Sequence, residues 1–317
     1  MPLRAPRRAP LLPFLLSIAA CIVPPARETA HGAAAAEPHD LGTASAGAAR
    51  WAGPDGGSET MVFLLMGQSN MEGAPKPAPE DETENPRVVV LAYDTCPNLG
   101  RTYDEWYVAK PPLHGCYAGV GPGDGFGKAM AAAYPNATIA LVPLAVSGAD
   151  IDLFRKGVVS TRRREFRIPP DNHWSGAYDW MIERARRAQR VGTIRGMVFH
   201  QGESDTGNAA WVAKVKGLVA DLRADLGIGD APFVAGELLY SGCCGRWHNP
   251  LVAQLSAQIP GTRVVSAEGL SGIDAAHFDL AGQREIGQRY ATAMIALLHG
   301  PAPAAAAQGT GIEKDTQ

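Results

Sequence analysis

The sequence has no excess of charge of either sign. Its 29 Lys and Arg residues nearly balance 32 Asp and Glu residues, which leaves a formal net charge of −3. A nucleic-acid partner requires a basic surface, so this balance predicts no nucleic-acid binding. Hydrophobic residues make up 46% of the 317 residues, an ordinary share for a globular protein with a buried core.

The common signatures of cofactor and metal binding are also missing. The glycine-rich run Gly119–Gly127 lacks the G-x-G-x-x-G spacing behind a strand that holds a dinucleotide. No Cys-x-x-Cys spacing with paired histidines occurs, which disfavours a zinc site. We therefore expect no cofactor and no metal. The G-x-S-x-G turn of ordinary α/β-hydrolases is absent as well.

The N-terminus has the pattern of an export signal. An arginine-containing start precedes an apolar block at 11–23 that is too short to span a bilayer comfortably. Cleavage among the small residues at 32–36 predicts a signal peptide of residues 1–36. Alternatively, the sequence I-A-A-C ending at Cys21 resembles a bacterial lipoprotein box, and lipidation there would anchor the protein to a membrane. Both alternatives predict a secreted or periplasmic protein.

Two further segments show no periodicity. Residues 37–59 and 301–317 are rich in Ala, Gly, Pro and polar residues, which predicts a disordered linker and a disordered tail. The segment between them, residues 60–300, has the length of a single domain.

Four of the five cysteines lie in this predicted domain. An even number of cysteines in an exported protein favours disulfide bonds. The economical pairing joins Cys96 to Cys116 and Cys243 to its neighbour Cys244. Crossed pairings and free thiols remain open alternatives.

Short apolar runs alternate with longer amphipathic stretches across the domain. Strands are predicted at Met61–Leu65, Val88–Leu91, Thr138–Val142, Gly196–Phe199, Phe233–Gly236 and Arg263–Val265. Helices are predicted at Gly125–Ala133, Tyr178–Arg190, Ala209–Leu226, Pro250–Ala257 and Leu280–Leu298. Strands alternating with helices predict an α/β protein with a central parallel sheet and helices on both faces.

Polar turns follow several of these elements. They are G-Q-S-N-M (67–71), P-L-A-V-S-G-A-D (143–150), H-Q-G-E-S-D-T (200–206) and D-A-A-H-F (274–278), the last just before the final helix. Because the carboxyl ends of parallel strands meet at one edge of a sheet, we expect these turns to converge there.

The converging residue types are those that acyl transfer requires. Ser69 is the candidate nucleophile, His277 the candidate base, and Asp274 the carboxylate that orients the base. The backbone N–H groups of Ser69 and Gly148, with the side-chain amide of Gln201, are the candidate donors of an oxyanion hole. Taken alone, each residue has a structural alternative, since an isolated serine at this position is equally typical of a helix cap.

Glu203 and Asp205 are candidate supporting residues. A carboxylate in this cluster could orient Gln201, bond the Ser69 loop or assist His277. A buried structural network is favoured over direct participation in the chemistry.

Together, G-Q-S-N-M, the Gly148 turn, H-Q-G-E-S-D and D-x-x-H-F resemble the ordered blocks of the SGNH hydrolase superfamily. More narrowly, they resemble its sialate O-acetylesterase-like branch of carbohydrate esterases, which includes acetylxylan-type enzymes. The runs G-P-G-D-G-F-G (121–127) and L-V-P-L-A-V-S-G (141–148) are also similar to that branch. The resemblance extends over about residues 61–298.

The resemblance implies a three-layer α/β/α, flavodoxin-like fold and a Ser69–His277–Asp274 triad. It also implies that Gln201 stands where the wider superfamily has an asparagine as oxyanion donor. Many members of the branch have Gly-Gly where this chain has Ser147-Gly148, and often Ser or Thr at the position of Ala149.

The activity implied is that of an exported serine esterase. It would remove O-acetyl groups from carbohydrate, such as acetylated polysaccharide or sialic acid, through an acyl-enzyme on Ser69 and without a cofactor. A lipid or aryl esterase on the same scaffold is one alternative. A non-catalytic carbohydrate-binding relative is another, which the presence of all three triad residues disfavours.

Overall fold

The computed structural model describes residues 49–53, 58–159 and 176–300. The predicted signal peptide and the C-terminal tail lie outside these residues, as does most of the predicted linker. Residues 60–300, which the sequence predicts to form one domain, lie within these ranges except for residues 160–175.

Strands and helices alternate along this part of the chain. The strands are β1 (Glu59–Gly67), β2 (Val88–Leu91), β3 (Trp106–Val108), β4 (Ala137–Pro143), β5 (Thr193–His200), β6 (Phe233–Gly236) and β7 (Thr262–Val265). The α-helices are α1 (Ser69–Glu72), α2 (Pro122–Ala133), α3 (Ala177–Ala188), α4 (Trp211–Leu226), α5 (Gly245–Val252), α6 (Leu255–Gln258) and α7 (Leu280–Leu298).

The strands form one seven-stranded sheet in the order β3-β2-β4-β1-β5-β6-β7. Every neighbouring pair is parallel except β2 and β3, which are antiparallel. The prediction of an α/β fold with a central parallel sheet is confirmed. The antiparallel edge strand β3 was not predicted, because its three residues lie within an irregular stretch rich in Gly and Pro.

β1 is the central strand, and its sequence explains why. Glu59 is exposed, and the other eight residues of the strand are buried. This is expected for a strand with neighbours on both sides and helices on both faces. Alternate side chains face two separate cores. Val62 packs in the core that contains Trp180 of α3, whereas Phe63 packs in the core that contains Phe126 of α2.

Two segments differ from their predicted structure. Residues 49–51, placed in the disordered linker, pair with β3: the N–H of Trp51 donates to the Trp106 carbonyl (3.2 Å), and their rings meet edge to face. The predicted helix Pro250–Ala257 is instead two short helices, α5 and α6. The first difference arises because Trp51 packs against Trp106 and the core. Composition alone does not show where an isolated aromatic residue packs.

Two disulfide bonds are present, between Cys96 and Cys116 and between the neighbours Cys243 and Cys244. The economical pairing is therefore confirmed over the crossed one. In the described ranges, no helix combines the length and the apolar character that crossing a bilayer requires.

Candidate active site

The site begins where β1 ends. Gly67 has a φ of +138°, and a Cβ there would overlap the backbone carbonyl of His200 on β5. The N–H of Gln68 donates to that same carbonyl at 2.9 Å. The chain can therefore turn directly from β1 into α1 with Ser69 as the first helical residue.

Ser69, His277 and Asp274 lie in hydrogen-bond contact. His277 Nε2 is 2.9 Å from Ser69 Oγ, and His277 Nδ1 is 2.8 Å from Asp274 Oδ2. A nucleophile, a base and an orienting carboxylate are thus in line, which is the arrangement that activates a serine hydroxyl.

The segment Asp274–His277, which we term the base turn, is organised by its own backbone. Asp274 Oδ1 accepts hydrogen bonds from the N–H groups of Ala276 and His277, both at 2.7 Å. Partial burial raises the pKa of Asp274, but hydrogen bonds from the His277 side chain and from these two N–H groups outweigh it. The net pKa of Asp274 lies below its ordinary value, so the carboxylate is held ionised beside the imidazole.

Asn70, the residue after Ser69, reaches across to the base turn. Its Nδ2 donates to the carbonyl of Ala276 at 2.9 Å, and its Oδ1 accepts from the N–H of Phe278 at 3.1 Å. Asn70 is buried. Sequence reasoning gave this residue no role in the site, although it stands inside the G-Q-S-N-M motif.

Glu203 accepts a hydrogen bond from Asn70. Its Oε1 accepts from Asn70 Nδ2 at 2.6 Å and lies 3.6 Å from His200 Nε2, while His200 Nδ1 is 2.6 Å from the Tyr290 hydroxyl. Burial raises the pKa of Glu203, but the interactions with His200 and Asn70 outweigh it and hold the pKa below its ordinary value. Of the three contacts considered for this carboxylate, the structure shows the one to the Ser69 loop.

Ser69 and Gly148 line the same cavity. Within the described ranges, neither the N–H of Ser69 nor that of Gly148 donates to a backbone carbonyl in a turn or loop. The Gly148 loop is held by its neighbours: Ser147 N–H donates to Glu72 Oε1 (2.7 Å), and Ser204 Oγ donates to the Gly148 carbonyl (3.1 Å).

The side-chain amide of Gln201 is bonded within the protein. It is 1% exposed, and its Nε2 donates to Asp205 Oδ2 (2.6 Å) and faces Gln68 Oε1 and the Ala149 carbonyl, each at 3.2 Å. Its Oε1 accepts from Trp211 Nε1 at 2.5 Å, which fixes the direction of the amide. The two N–H bonds of this amide therefore face protein acceptors in this structure, and the expected role of Gln201 as an oxyanion donor stays a prediction.

Asp205 orients Gln201 and also holds the segment after Gly148. Besides accepting from Gln201, its Oδ2 accepts from the N–H of Ile151 at 2.7 Å. Of the three contacts considered for Asp205, the structure shows the one that orients Gln201, and it adds the bond to Ile151.

Ser69, Gly148 and His277 open into a cavity of about 470 Å³. Its wall includes Tyr93 and the segment 115–118, which the Cys96–Cys116 disulfide ties down. The volume suits a small ligand rather than a folded partner.

One group of side chains in the described residues has the proximity of metal ligands, namely Asp94, Cys96 and Cys116. Both sulfurs belong to the disulfide, and a metal binds the thiolate form of cysteine. This group is therefore unsuited to hold a metal while the disulfide is intact.

Comparison with known proteins decides the family. A family model described as carbohydrate esterase, sialic acid-specific acetylesterase, matches residues 59–296, which is most of the chain. The chain belongs to this family. It is therefore a carboxylic ester hydrolase of the carbohydrate acetylesterase class, and the resemblance carried by the four motifs is confirmed.

Solved structures agree with the fold of this acetylesterase. A protein of Arabidopsis thaliana is 25% identical, with a TM-score of 0.60, over 74% of this chain and 97% of that one. NanS is 19% identical, with a TM-score of 0.58, over 75% and 97% of the two chains. A carbohydrate acetylesterase from Xanthomonas citri is 20% identical, with a TM-score of 0.55, over 76% of this chain and 57% of that one.

Proposed function

We propose that this acetylesterase is an exported serine esterase that removes O-acetyl groups from carbohydrate through an acyl-enzyme on Ser69. The observation that carries the proposal is the continuous contact from Ser69 Oγ through His277 to Asp274. The family supports the acyl group and the carbohydrate, and the cavity around Ser69 supports a small substrate group at that hydroxyl.

The contacts of His277 with Ser69 and Asp274 support the following sequence of proton transfers. His277 Nε2 takes the Ser69 proton as Oγ attacks the acetyl carbonyl, and Asp274 stabilises the imidazolium that forms. His277 then gives that proton to the departing sugar oxygen, which leaves an acetyl group on Ser69. Water activated by His277 releases acetate and restores the hydroxyl.

The backbone N–H groups of Ser69 and Gly148 would stabilise the negative oxygen of each tetrahedral intermediate. Each such donor is worth roughly 3 kcal/mol in a transition state. Two observations support this role for Gly148. Its φ is +70°, and its carbonyl accepts a hydrogen bond from the Ser204 hydroxyl.

Secretion or periplasmic location is part of the proposal. The Cys96–Cys116 disulfide supports it, because disulfides persist in oxidising compartments. The proposed signal peptide and the alternative lipidation at Cys21 lie outside the described residues. The esterase domain is proposed to occupy residues 60–300.

The test is acetate release by the mature protein and by Ser69→Ala from acetylated xylan, O-acetylated sialic acid, acetylated pectin fragments and an aryl acetate. Ser69→Ala should lose at least about 10³-fold in kcat. The distant exposed serine substitution Ser256→Ala is the matched control and should keep full activity. Undiminished hydrolysis by Ser69→Ala would refute the assignment.

The same panel separates the alternatives. A preference for long-chain esters over every acetylated sugar would indicate a lipid or aryl esterase. Binding of acetylated sugar without acetate release would indicate a non-catalytic relative. Mass spectrometry of enzyme quenched during turnover should show one added acetyl group on the peptide that contains Ser69.

A further inference from the structure

The distance between Ser69 and His277 is not determined by the base turn itself. The bonds of Asp274 to Ala276 and His277 fix the shape of that turn, but they do not connect it to α1. The two segments are far apart in sequence and approach each other only in the folded chain. A separate contact must therefore hold them at 2.9 Å.

Asn70 makes that contact on both sides of His277. Its Nδ2 donates to the carbonyl of the residue before His277, and its Oδ1 accepts from the N–H of the residue after it. Because Asn70 follows Ser69 directly, one planar amide joins the nucleophile's helix to the backbone that carries the base.

The orientation of this amide is itself fixed. The second hydrogen of Asn70 Nδ2 points to Glu203 Oε1 at 2.6 Å, and Gln283 Nε2 donates to Asn70 Oδ1 at 3.4 Å. An ionised carboxylate accepts a stronger hydrogen bond than a neutral oxygen. Rotation of the Asn70 amide would place its oxygen against Glu203, so the carboxylate selects the orientation that holds the base turn.

We propose that Asn70 is a positioning residue that sets the Ser69–His277 distance, and that Glu203 acts through Asn70 by fixing its amide. The proposal rests on the proposed function, since it assigns His277 the role of base. Neither side chain lines the cavity at Ser69, so neither contributes to binding the substrate.

The test compares Asn70→Ala with wild type in kcat, KM and the pH dependence of kcat/KM. A displacement of about 1 Å between reacting groups lowers the rate roughly 10²-fold, and we expect a loss in kcat of this order. KM should stay within about twofold, because the cavity wall is unchanged. The pH midpoint of kcat/KM should not move, because the Asp274–His277 contact lies within one turn, whereas Asp274→Asn should move it.

Asn249→Ala is the matched control for loss of a buried amide. Asn249 is 5% exposed and bonds both the N–H and the carbonyl of Leu238, as Asn70 bonds two backbone groups of the base turn. It should lower the urea midpoint of unfolding to a similar degree while kcat changes by less than about threefold. A kcat loss in Asn249→Ala equal to that in Asn70→Ala would show a purely structural effect and overturn the proposal.

Glu203 is tested by combining substitutions. If it acts through Asn70, Asn70→Ala/Glu203→Ala should be no slower than Asn70→Ala alone. Multiplied losses in the double variant would overturn that part. Glu203→Gln, which keeps an oxygen acceptor for Asn70, should recover most of the kcat that Glu203→Ala loses.

Two outcomes separate this proposal from the proposed function. If Ser69→Ala is inactive while folded Asn70→Ala keeps the wild-type kcat, only the positioning role fails. If Ser69→Ala stays active, the proposed function fails first. Should Asn70→Ala not fold, Asn70→Asp is measured instead: it has the same shape and keeps the acceptor for Phe278, but it lacks both donors, and a wild-type kcat in it would overturn the proposal.

Discussion

Removing the Cys96–Cys116 disulfide should cost the fold a specific amount of stability. The bond closes a loop with a sequence separation of 20 residues. In the chain-entropy description, cross-linking a loop of this length stabilises the folded state by about 3 kcal/mol. We therefore expect Cys96→Ala/Cys116→Ala to lower the free energy of unfolding by that amount. Alanine is chosen because Cys96 is buried, and a serine hydroxyl there would add a desolvation cost.

The measurement is urea unfolding with linear extrapolation to water, under conditions that keep the remaining disulfide oxidised. Cys243→Ala/Cys244→Ala is the matched control, because its two cysteines are adjacent in sequence and close almost no loop. Its loss through the loop term should be no more than about 1 kcal/mol. Equal losses in the two double variants, or a loss below about 1 kcal/mol in Cys96→Ala/Cys116→Ala, would refute the reasoning from loop length.

The same variant should separate binding from chemistry. Cys116 lies in the cavity wall, whereas Ser69, His277 and Asp274 are held by contacts that do not involve the disulfide. Loosening this wall should raise KM for the acetylated carbohydrate and leave kcat for a small aryl acetate near the wild-type value.

Two further predictions concern backbone strain and acid stability. Gly67→Ala should lower the free energy of unfolding by at least roughly 1–3 kcal/mol, because it combines an unfavourable φ with overlap on the His200 carbonyl. Gly157→Ala, with positive φ but open space, should cost only about 1 kcal/mol in the same urea titration, and equal costs would contradict the argument. Burial raises the pKa of Asp81, but its hydrogen bonds with Arg284 outweigh that and lower the net pKa below the ordinary 3.8. The stabilisation by the ionised carboxylate is thus present above about pH 4 and is lost as pH falls through the folded-state pKa. Asp81→Asn should therefore lower the free energy of unfolding by roughly 1–3 kcal/mol at pH 7, and the difference from wild type should narrow below pH 4. A difference in unfolding free energy that stays constant across pH would contradict this argument.

The central sheet was predictable because its strands are defined by burial. β1, β4 and β6 are apolar on both faces, and such runs separated by amphipathic helices have few other folds available. β3 was not predictable, since three residues carry too little pattern and the strand exists only through its pairing with β2.

At the site, the sequence predicted which residue types would meet but not how each would point. Ser69, Asp274 and His277 were predicted because acyl transfer needs a hydroxyl, a base and a carboxylate, and the structure brings these three side chains into contact. The direction of the Gln201 amide depends on Trp211 and Asp205, which lie beside it in space and follow no motif spacing. The bond from Asn70 to Ala276 joins residues 206 positions apart, a relation that one sequence does not reveal.

The base turn has a consequence for protein engineering. Four consecutive residues contain both the imidazole and the carboxylate that orients it, and Asp274 accepts from two N–H groups of the same turn. From outside the turn, the N–H of Cys243 donates to the Ala275 carbonyl at 2.7 Å. Two residues after His277, Asp279 caps α7 by accepting from the N–H of Gly282 at 2.7 Å. Transfer of this proposed acid–base pair to another scaffold with a serine after a central strand would therefore require three parts. These are the four-residue turn before a capped helix, an amide in the position of Asn70, and a donor in the position of the Cys243 N–H.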